Sequence, residues 1–468
     1  MIREIIIAVS LCLIFKLKRR LFINCEAFLF MIRILQTLLF ILWTFGLFQI
    51  LFPTLLADNL LAPLLAFAAI CAIPQANRSV KILISVLATV TIILAQIYDQ
   101  WGAIETGLRR ATIFPAFLAT ILLLRATADQ RREITAARDL FTSLEREKRD
   151  SGLVVGGFLI GSVLQVSVFA IIAPILGSNA SESERREVFV AAMRGMALVP
   201  LWSPFVVGMA IASQYLPKVP LWQIVSLGLG LSSCCIVLSI ICFDRKGGLN
   251  SLWLSLMTLA PIAPPIVIAA LLVIGTSIGT GFSTIQSLII ALPIPCLIAV
   301  ALSSRGSIPI ALKTTVQRLP RIGPETAILV FATILGSVFE KALPDMGLLN
   351  WLQDMQLSSI AIIFLLILAM IAAGLMAVHS IVSGTILLVI FTSIPTGLAD
   401  LIIMQAILVG WGLCTAVSIS SLSIVTGASM FEVPMTRLIT WSNFIYVFVG
   451  GIFCAMVLTA INPLLMAY

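Results

Sequence analysis

The stretch 358–394, SSIAIIFLLILAMIAAGLMAVHSIVSGTILLVIFTSI, carries no Asp, Glu, Lys or Arg. At 1.5 Å per residue its 37 residues would make a helix of about 55 Å. A hydrocarbon core is about 30 Å thick, and two complete spans would need about 40 residues plus a turn. A re-entrant hairpin of two half-helices fits this length. Its tip falls at the polar break Val378-His379-Ser380-Ile381-Val382-Ser383-Gly384-Thr385, the one place in the run where a turn can sit.

The rest of the chain shares this character. Of its 468 residues 60% are hydrophobic and 11% charged, and the mean hydropathy is +1.14, whereas a soluble domain carries roughly 25% charged residues. A soluble globule is excluded, and no ten-residue apolar/polar alternation suggests a membrane β-barrel. The expected fold is an all-α polytopic membrane protein of about 11 transmembrane helices plus two re-entrant hairpins. The spans read near 34–56, 59–73, 82–98, 111–125, 188–213, 222–243, 251–274, 285–304, 324–339, 400–430 and 441–461. Residues 1–30 form an interfacial segment or an over-extended start, and 31–57 hold a leading helix. The net charge of +8 lies in the connections between apolar runs, where it sets topology and does not point to nucleic acid.

The second hairpin is read at 152–176, with its break at Gly161-Ser162-Val163-Leu164-Gln165-Val166-Ser167. Charge placement supports this. With 152–176 re-entrant, Arg33, Arg78, Lys81, the Arg125–Arg149 cluster, Arg185, Arg186, Arg245, Lys246 and Arg305–Arg321 share one side, the cytoplasmic one. Arg109, Arg110, Lys218 and Lys341 are the exceptions. Residues 125–150 repeat Ile134, Ala137, Leu140, Phe141 and Leu144 at helical spacing, which predicts an amphipathic interfacial helix. A shorter counterpart is read over 340–355.

The same elements recur. Phe117-Leu118-Ala119-Thr120-Ile121-Leu122 matches Val330-Phe331-Ala332-Thr333-Ile334-Leu335 at an offset of 213. Gly161 and Gly374, Gln165 and His379, Gly195 and Gly410, Ser203 and Ser418, and Pro220 and Pro434 pair at offsets of 213 to 215. This predicts two repeats, 58–247 and 248–468, inverted because one hairpin enters from the cytoplasm and the other from outside. Such an axis in the membrane plane recurs in secondary transporters, with solute held where discontinuous helices meet.

Pro200 and Pro204, around Trp202 and Ser203, remove backbone donors and predict a break in the span 188–213. Its repeat partner 400–430 is rich in glycine and hydroxyls. The candidate substrate and ion site is therefore Ser162, Gln165 and Ser167 at one tip; Ser203; His379, Ser380, Ser383 and Thr385 at the other tip; and Ser418, Ser420, Ser421 and Ser423. Half-helix N-termini suit an anion, and hydroxyls with freed carbonyls suit Na⁺. The same small residues also serve helix packing. No Asp or Glu falls in the middle of an expected span, so hydroxyls, backbone and His379 are expected to do the binding. His379 reads either as a proton-coupling or solute contact or as a structural histidine. Arg194 reads either as an anion partner or as a snorkelling side chain.

One leading span followed by two inverted units, each with a hairpin and a broken helix, resembles the ion transporter superfamily over about residues 34–461. Its members include divalent-anion:sodium symporters, large subunits of tripartite periplasmic transporters and arsenite permeases. The symporters' tips carry Ser-Asn-Thr, whereas here they read Leu164-Gln165-Val166-Ser167 and His379-Ser380-Ile381-Val382-Ser383-Gly384-Thr385. The resemblance implies elevator-type secondary transport, with solute and Na⁺ between tips and broken helices. The expected activity is uptake of a small anionic solute coupled to Na⁺ or H⁺, without enzymatic chemistry or a cofactor beyond that ion. The expected partners are the lipid bilayer, the solute and a second copy in a homodimer, in a bacterial inner membrane. The rivals are an intramembrane lipid-linked glycan enzyme, for which no catalytic constellation is found, and a membrane subunit of a multi-component transporter.

Overall fold

The computed structural model describes residues 30–53, 58–130, 149–177, 179–243, 248–260, 263–302 and 307–466. Among the described residues all regular structure is helical, and nine helices are long and apolar enough to cross a membrane. The chain is an all-α polytopic membrane protein. The N-terminal segment 1–30, save its last residue, and positions 131–148 of the expected interfacial helix lie outside the described residues.

The first part of the chain holds α1 (Phe30–Leu51), α2 (Asp58–Ala72) and α3 (Arg78–Ile97). The expected span 111–125 starts earlier, as α4 (Gly102–Ala111) joined at Thr112 to α5 (Ile113–Ala128). Its charged first turns stay helical because Arg109 pairs with Glu105 one turn back, at 2.6 Å, and Arg110 pairs with Glu340. There follow α6 (Arg149–Leu164), α7 (Val168–Ile172), α8 (Glu182–Met196), α9 (Val207–Tyr215) and α10 (Leu221–Phe243). Helix α8 begins ahead of the expected 188 because the Ser181 side chain accepts the Glu184 N–H, satisfying a donor of the first turn.

Prolines redraw the middle of the chain. The expected span 251–274 is split into α11 (Gly248–Leu259) and α12 (Ala263–Thr280), with Pro264 and Pro265 in the first turn of α12. A first turn is where a missing N–H costs least. The expected 285–304 remains one span, Thr284–Ala301, stepped at Leu292 between α13 (Thr284–Ala291) and α14 (Pro293–Ala301). An unanticipated helix, α15 (Ile308–Arg318), runs through a short 3₁₀ turn into α16 (Gly323–Ala342). The chain ends with α17 (Leu348–Asp354), α18 (Ser359–Leu375), α19 (Ser380–Thr392), α20 (Asp400–Cys414), α21 (Leu422–Phe431), α22 (Met435–Leu438) and α23 (Trp441–Met466).

Glycines set the closest packing. Lipid tails are as apolar as leucine, so close backbone approach and van der Waals contact must hold helices together. A Cβ added to Gly195 in α8 would stand 1.9 Å from the carbonyl oxygen of Val154 in α6. In the second half, a Cβ on Gly410 in α20 would stand 3.0 Å from the carbonyl oxygen of Ile367 in α18. Gly161 meets Val199 as Gly374 meets Cys414. The α6–α8 and α18–α20 pairs thus touch through residues about 213 to 215 positions apart.

Gly195→Ala is expected to destabilise the protein by about 2–3 kcal/mol, because backbone must move to admit the methyl group. Gly230→Ala, in α10 with nothing near its Cβ, should leave stability unchanged or raise it by about 0.5 kcal/mol. Thermal unfolding of both variants in one detergent checks the contrast.

Candidate functional site

Four interruptions of helix meet at the site. Between α8 and α9 regular α-helix stops from 197 to 206, leaving only the 3₁₀ turn Val199–Leu201. In an apolar environment every freed carbonyl needs a donor. Ser232 Oγ donates to Leu198 O at 3.3 Å, Gln405 Nε2 to Leu201 O at 2.9 Å and Gln165 Nε2 to Phe205 O at 2.8 Å. Gln165 itself ends α6 with a φ of 50°. This residue, read from sequence as a ligand candidate, splints the first break with its amide nitrogen.

The break after α18 turns at Ala377, whose φ is 61°. Ala377 N–H donates to Gly374 O and Val378 N–H to Ala373 O, a helix-ending turn. His379 then caps α19: its Nδ1 accepts the Ile381 N–H at 3.3 Å. After α20 the chain is again irregular until Ser421, whose Oγ accepts the Ser423 N–H at 3.2 Å and caps α21.

Two serines tie the breaks to one another in parallel fashion. Ser203 Oγ donates to Ser162 O at 2.9 Å, at the end of α6, and Ser418 Oγ donates to Gly374 O at 2.6 Å, at the end of α18. Ser162 spends its own hydroxyl on Leu159 O. Ser162 and Ser203 are therefore braces behind the site.

A cavity of about 170 Å³ opens where these elements converge. It gathers Gln165, His379, Ser380, Ser418, Ser420, Ser421 and Ser423. The other candidates lie elsewhere. Ser167 is exposed, Ser383 donates to Ser380 O within α19, and Thr385 is buried with its methyl against Gly336. Trp411 walls the cavity, its ring against Gly208 and Gly384.

Three helix N-termini border this space: α9 through Val207 and Gly208, α19 through Ser380 and Ile381, and α21 through Leu422 and Ser423. The α9 terminus has no side-chain cap. Unpaired N–H groups and the positive end of a helix favour an anion. Arg194 does not contribute: its Nε donates to Asn443 Oδ1 at 3.1 Å, its guanidinium lies 3.9 Å above the Phe243 ring, and it lines a separate cavity.

A carboxylate joins the hydroxyls, backbone and His379 that were expected to line the site. Glu325, in the first turn of α16, lines the cavity. A small adjoining space is lined by both Glu325 and Arg125, the latter near the end of α5. Neither was read as a site residue, because each falls at the edge of an apolar run beside other charges. Gly323-Pro324 immediately before Glu325 was the available signal, since it marks a helix start and hence a first-turn acid.

Ser418→Ala is expected to cost about 0.5–1.5 kcal/mol by removing its hydrogen bond to Gly374 O, which keeps the Ala377 N–H. Ser203→Ala should cost a similar amount, and Ser167→Ala less than about 0.5 kcal/mol. Unfolding in detergent measures all three.

Comparison with protein-family models and with curated proteins finds no match for the chain.

Proposed function

We propose that the protein is a secondary active transporter of a small anionic solute, coupled to Na⁺ or H⁺. The observation that carries this reading is the convergence of three helix N-termini from both halves of the chain on one cavity lined by hydroxyls. Broken helices at a cavity, with backbone ends as ligands, are the recurrent binding device of such transporters. The matched α6–α8 and α18–α20 contacts support two inverted repeats, 58–247 and 248–468, and the breaks at Gln165 and Ala377 support re-entrant hairpins over 152–176 and 358–394.

In this reading α6–α9 and α18–α21 move as an elevator against a scaffold formed by the remaining helices, as in the ion transporter superfamily that the order of elements resembles. The two lipid-facing scaffolds of a homodimer would anchor that movement in a bacterial inner membrane. Nothing in the cavity joins a nucleophile to a general base, so transport is favoured over an intramembrane enzyme.

Proteoliposomes bearing the full chain are expected to accumulate at least one labelled anion from a panel of sulfate, succinate and sugar acids under an imposed Na⁺ or H⁺ gradient. His379→Ala and a Ser420→Ala, Ser423→Ala double variant should each reduce initial uptake about tenfold, equivalent to about 1.4 kcal/mol. Ser167→Ala should not. Equal uptake in all variants removes the site, and failure of every anion to enter removes the assignment.

A further inference from the structure

We infer that Glu325 is a proton-binding site of this protein, and that its protonation frees Arg125 to attract the anionic solute. This rests on the transport reading for the solute, but the proton site stands on its own geometry.

Glu325 belongs to the walls of two adjoining spaces, the 170 Å³ cavity and one of about 10 Å³ that Arg125 also lines. The smaller volume is about that of one water. Arg125 and Glu325 act on each other electrostatically, yet form no ion pair among the described residues. The Arg125 Nε is buried without a hydrogen-bond partner. Leaving such a donor unmade is costly, which marks a group kept for another partner.

The surroundings select a proton over a metal cation. The small space is otherwise walled by apolar side chains such as Phe117, Ile121 and Phe205, with only Gln165 to add a neutral oxygen. That oxygen and one carboxylate fall short of the several oxygen ligands a hard cation takes, and the guanidinium repels any cation. A proton needs one carboxylate oxygen and a water-sized path.

Of the other charged groups, Asp129, a turn past Arg125, also acts on it while pairing with Arg318 at 3.0 Å, and Arg321, a turn before Glu325, is exposed. On the helices packed against α16, Arg78 and Lys81 of α3 are exposed, Glu105 and Arg109 of α4 pair together, and Arg110 pairs with Glu340 at the opposite end of α16. Helices α9 and α19 bring no Asp, Glu, Lys or Arg, and His379 is the titratable group across the larger cavity.

The coupling then follows from charge. An ionised Glu325 cancels Arg125 and repels an anion arriving among the helix N-termini. When the carboxylate takes up a proton to become a neutral carboxylic acid, that repulsion ends and the positive charge of Arg125, in the adjoining space, is no longer offset by Glu325. Proton and anion therefore enter together, and the same pair leaves together when the acid ionises.

Infrared difference spectra of the full chain in vesicles, taken between about pH 8 and about pH 5, test the site. The wild type should gain a carboxylic-acid carbonyl band that Glu325→Gln lacks, with Glu325→Asp restoring it at a shifted midpoint should the glutamine variant fold poorly. A band unchanged by both substitutions, or absent from the wild type, overturns the proposal. Inorganic sulfate, a dianion throughout this interval, is the anion probe: binding followed by thermal shift should tighten about tenfold over the same interval in the wild type, and be independent of pH in Glu325→Gln. Tightening that persists in Glu325→Gln refutes the coupling. A Glu325-dependent band with no anion bound or transported would keep the proton site and sink the transport reading, whereas Na⁺-driven uptake indifferent to Glu325→Gln would do the reverse.

Discussion

A helix that stops inside an apolar medium leaves carbonyls and N–H groups that no water can satisfy, and this requirement organises the structure. The first break is held by Gln165, Ser232 and Gln405, three side chains from three different helices or their ends, each giving a hydrogen to a different freed carbonyl. These bonds fix where α6, α10 and α20 stand relative to the irregular segment between α8 and α9. Because each lost bond exposes a polar group worth several kcal/mol in hydrocarbon, the break is a rigid feature of the fold. The glycine contacts supply the complementary term: Gly228 and Gly412 let α10 and α20 approach the backbone of Leu201 and Ala197 so closely that an added Cβ would lie 1.9 and 2.2 Å from their carbonyl oxygens.

The freed carbonyls are spent on bracing, and of the three helix starts at the cavity that of α9 lacks a side-chain cap. Ser203 and Ser418 donate their hydroxyl hydrogens to the ends of α6 and α18, so the negative ends of those helices are neutralised by side chains. The starts of α9, α19 and α21 face the open space instead. The anion preference proposed above rests on those helix starts.

The length of 358–394 and the proline pair of 188–213 were legible in the sequence, whereas Pro264 and Pro265, which split the expected span 251–274, were not. The 37-residue run 358–394 could not be a single helix of membrane length, and helix does stop at its polar break. Pro200 and Pro204 marked the interruption of 188–213 for the same chemical reason that ends α8. Direction was not legible. Ser383 and Thr385 have the composition of ligands, but α19 turns them away from the cavity, one bonded within its own helix and the other against Gly336. Whether a hydroxyl three or five residues past a helix start faces the site depends on the rotation of that helix about its axis, which tertiary packing sets.

Charge at the margins of apolar runs was the second thing sequence could not sort, and Arg194 and Arg125 show why. Arg194 and Arg125 each stand near an end of a hydrophobic segment, and each reads equally well as a snorkelling side chain. In the structure Arg194 has what a structural guanidinium needs: an acceptor in Asn443 and an aromatic face in Phe243, a stacking that desolvation strengthens. At Arg125 the Nε is buried and unpartnered, and the carboxylates of Glu325 and Asp129 act on it without an ion pair among the described residues. A buried donor left in this state costs stability until a partner completes it. The difference between the two arginines is therefore one of bonding, and the one with the unmade bond lies in the space adjoining the cavity.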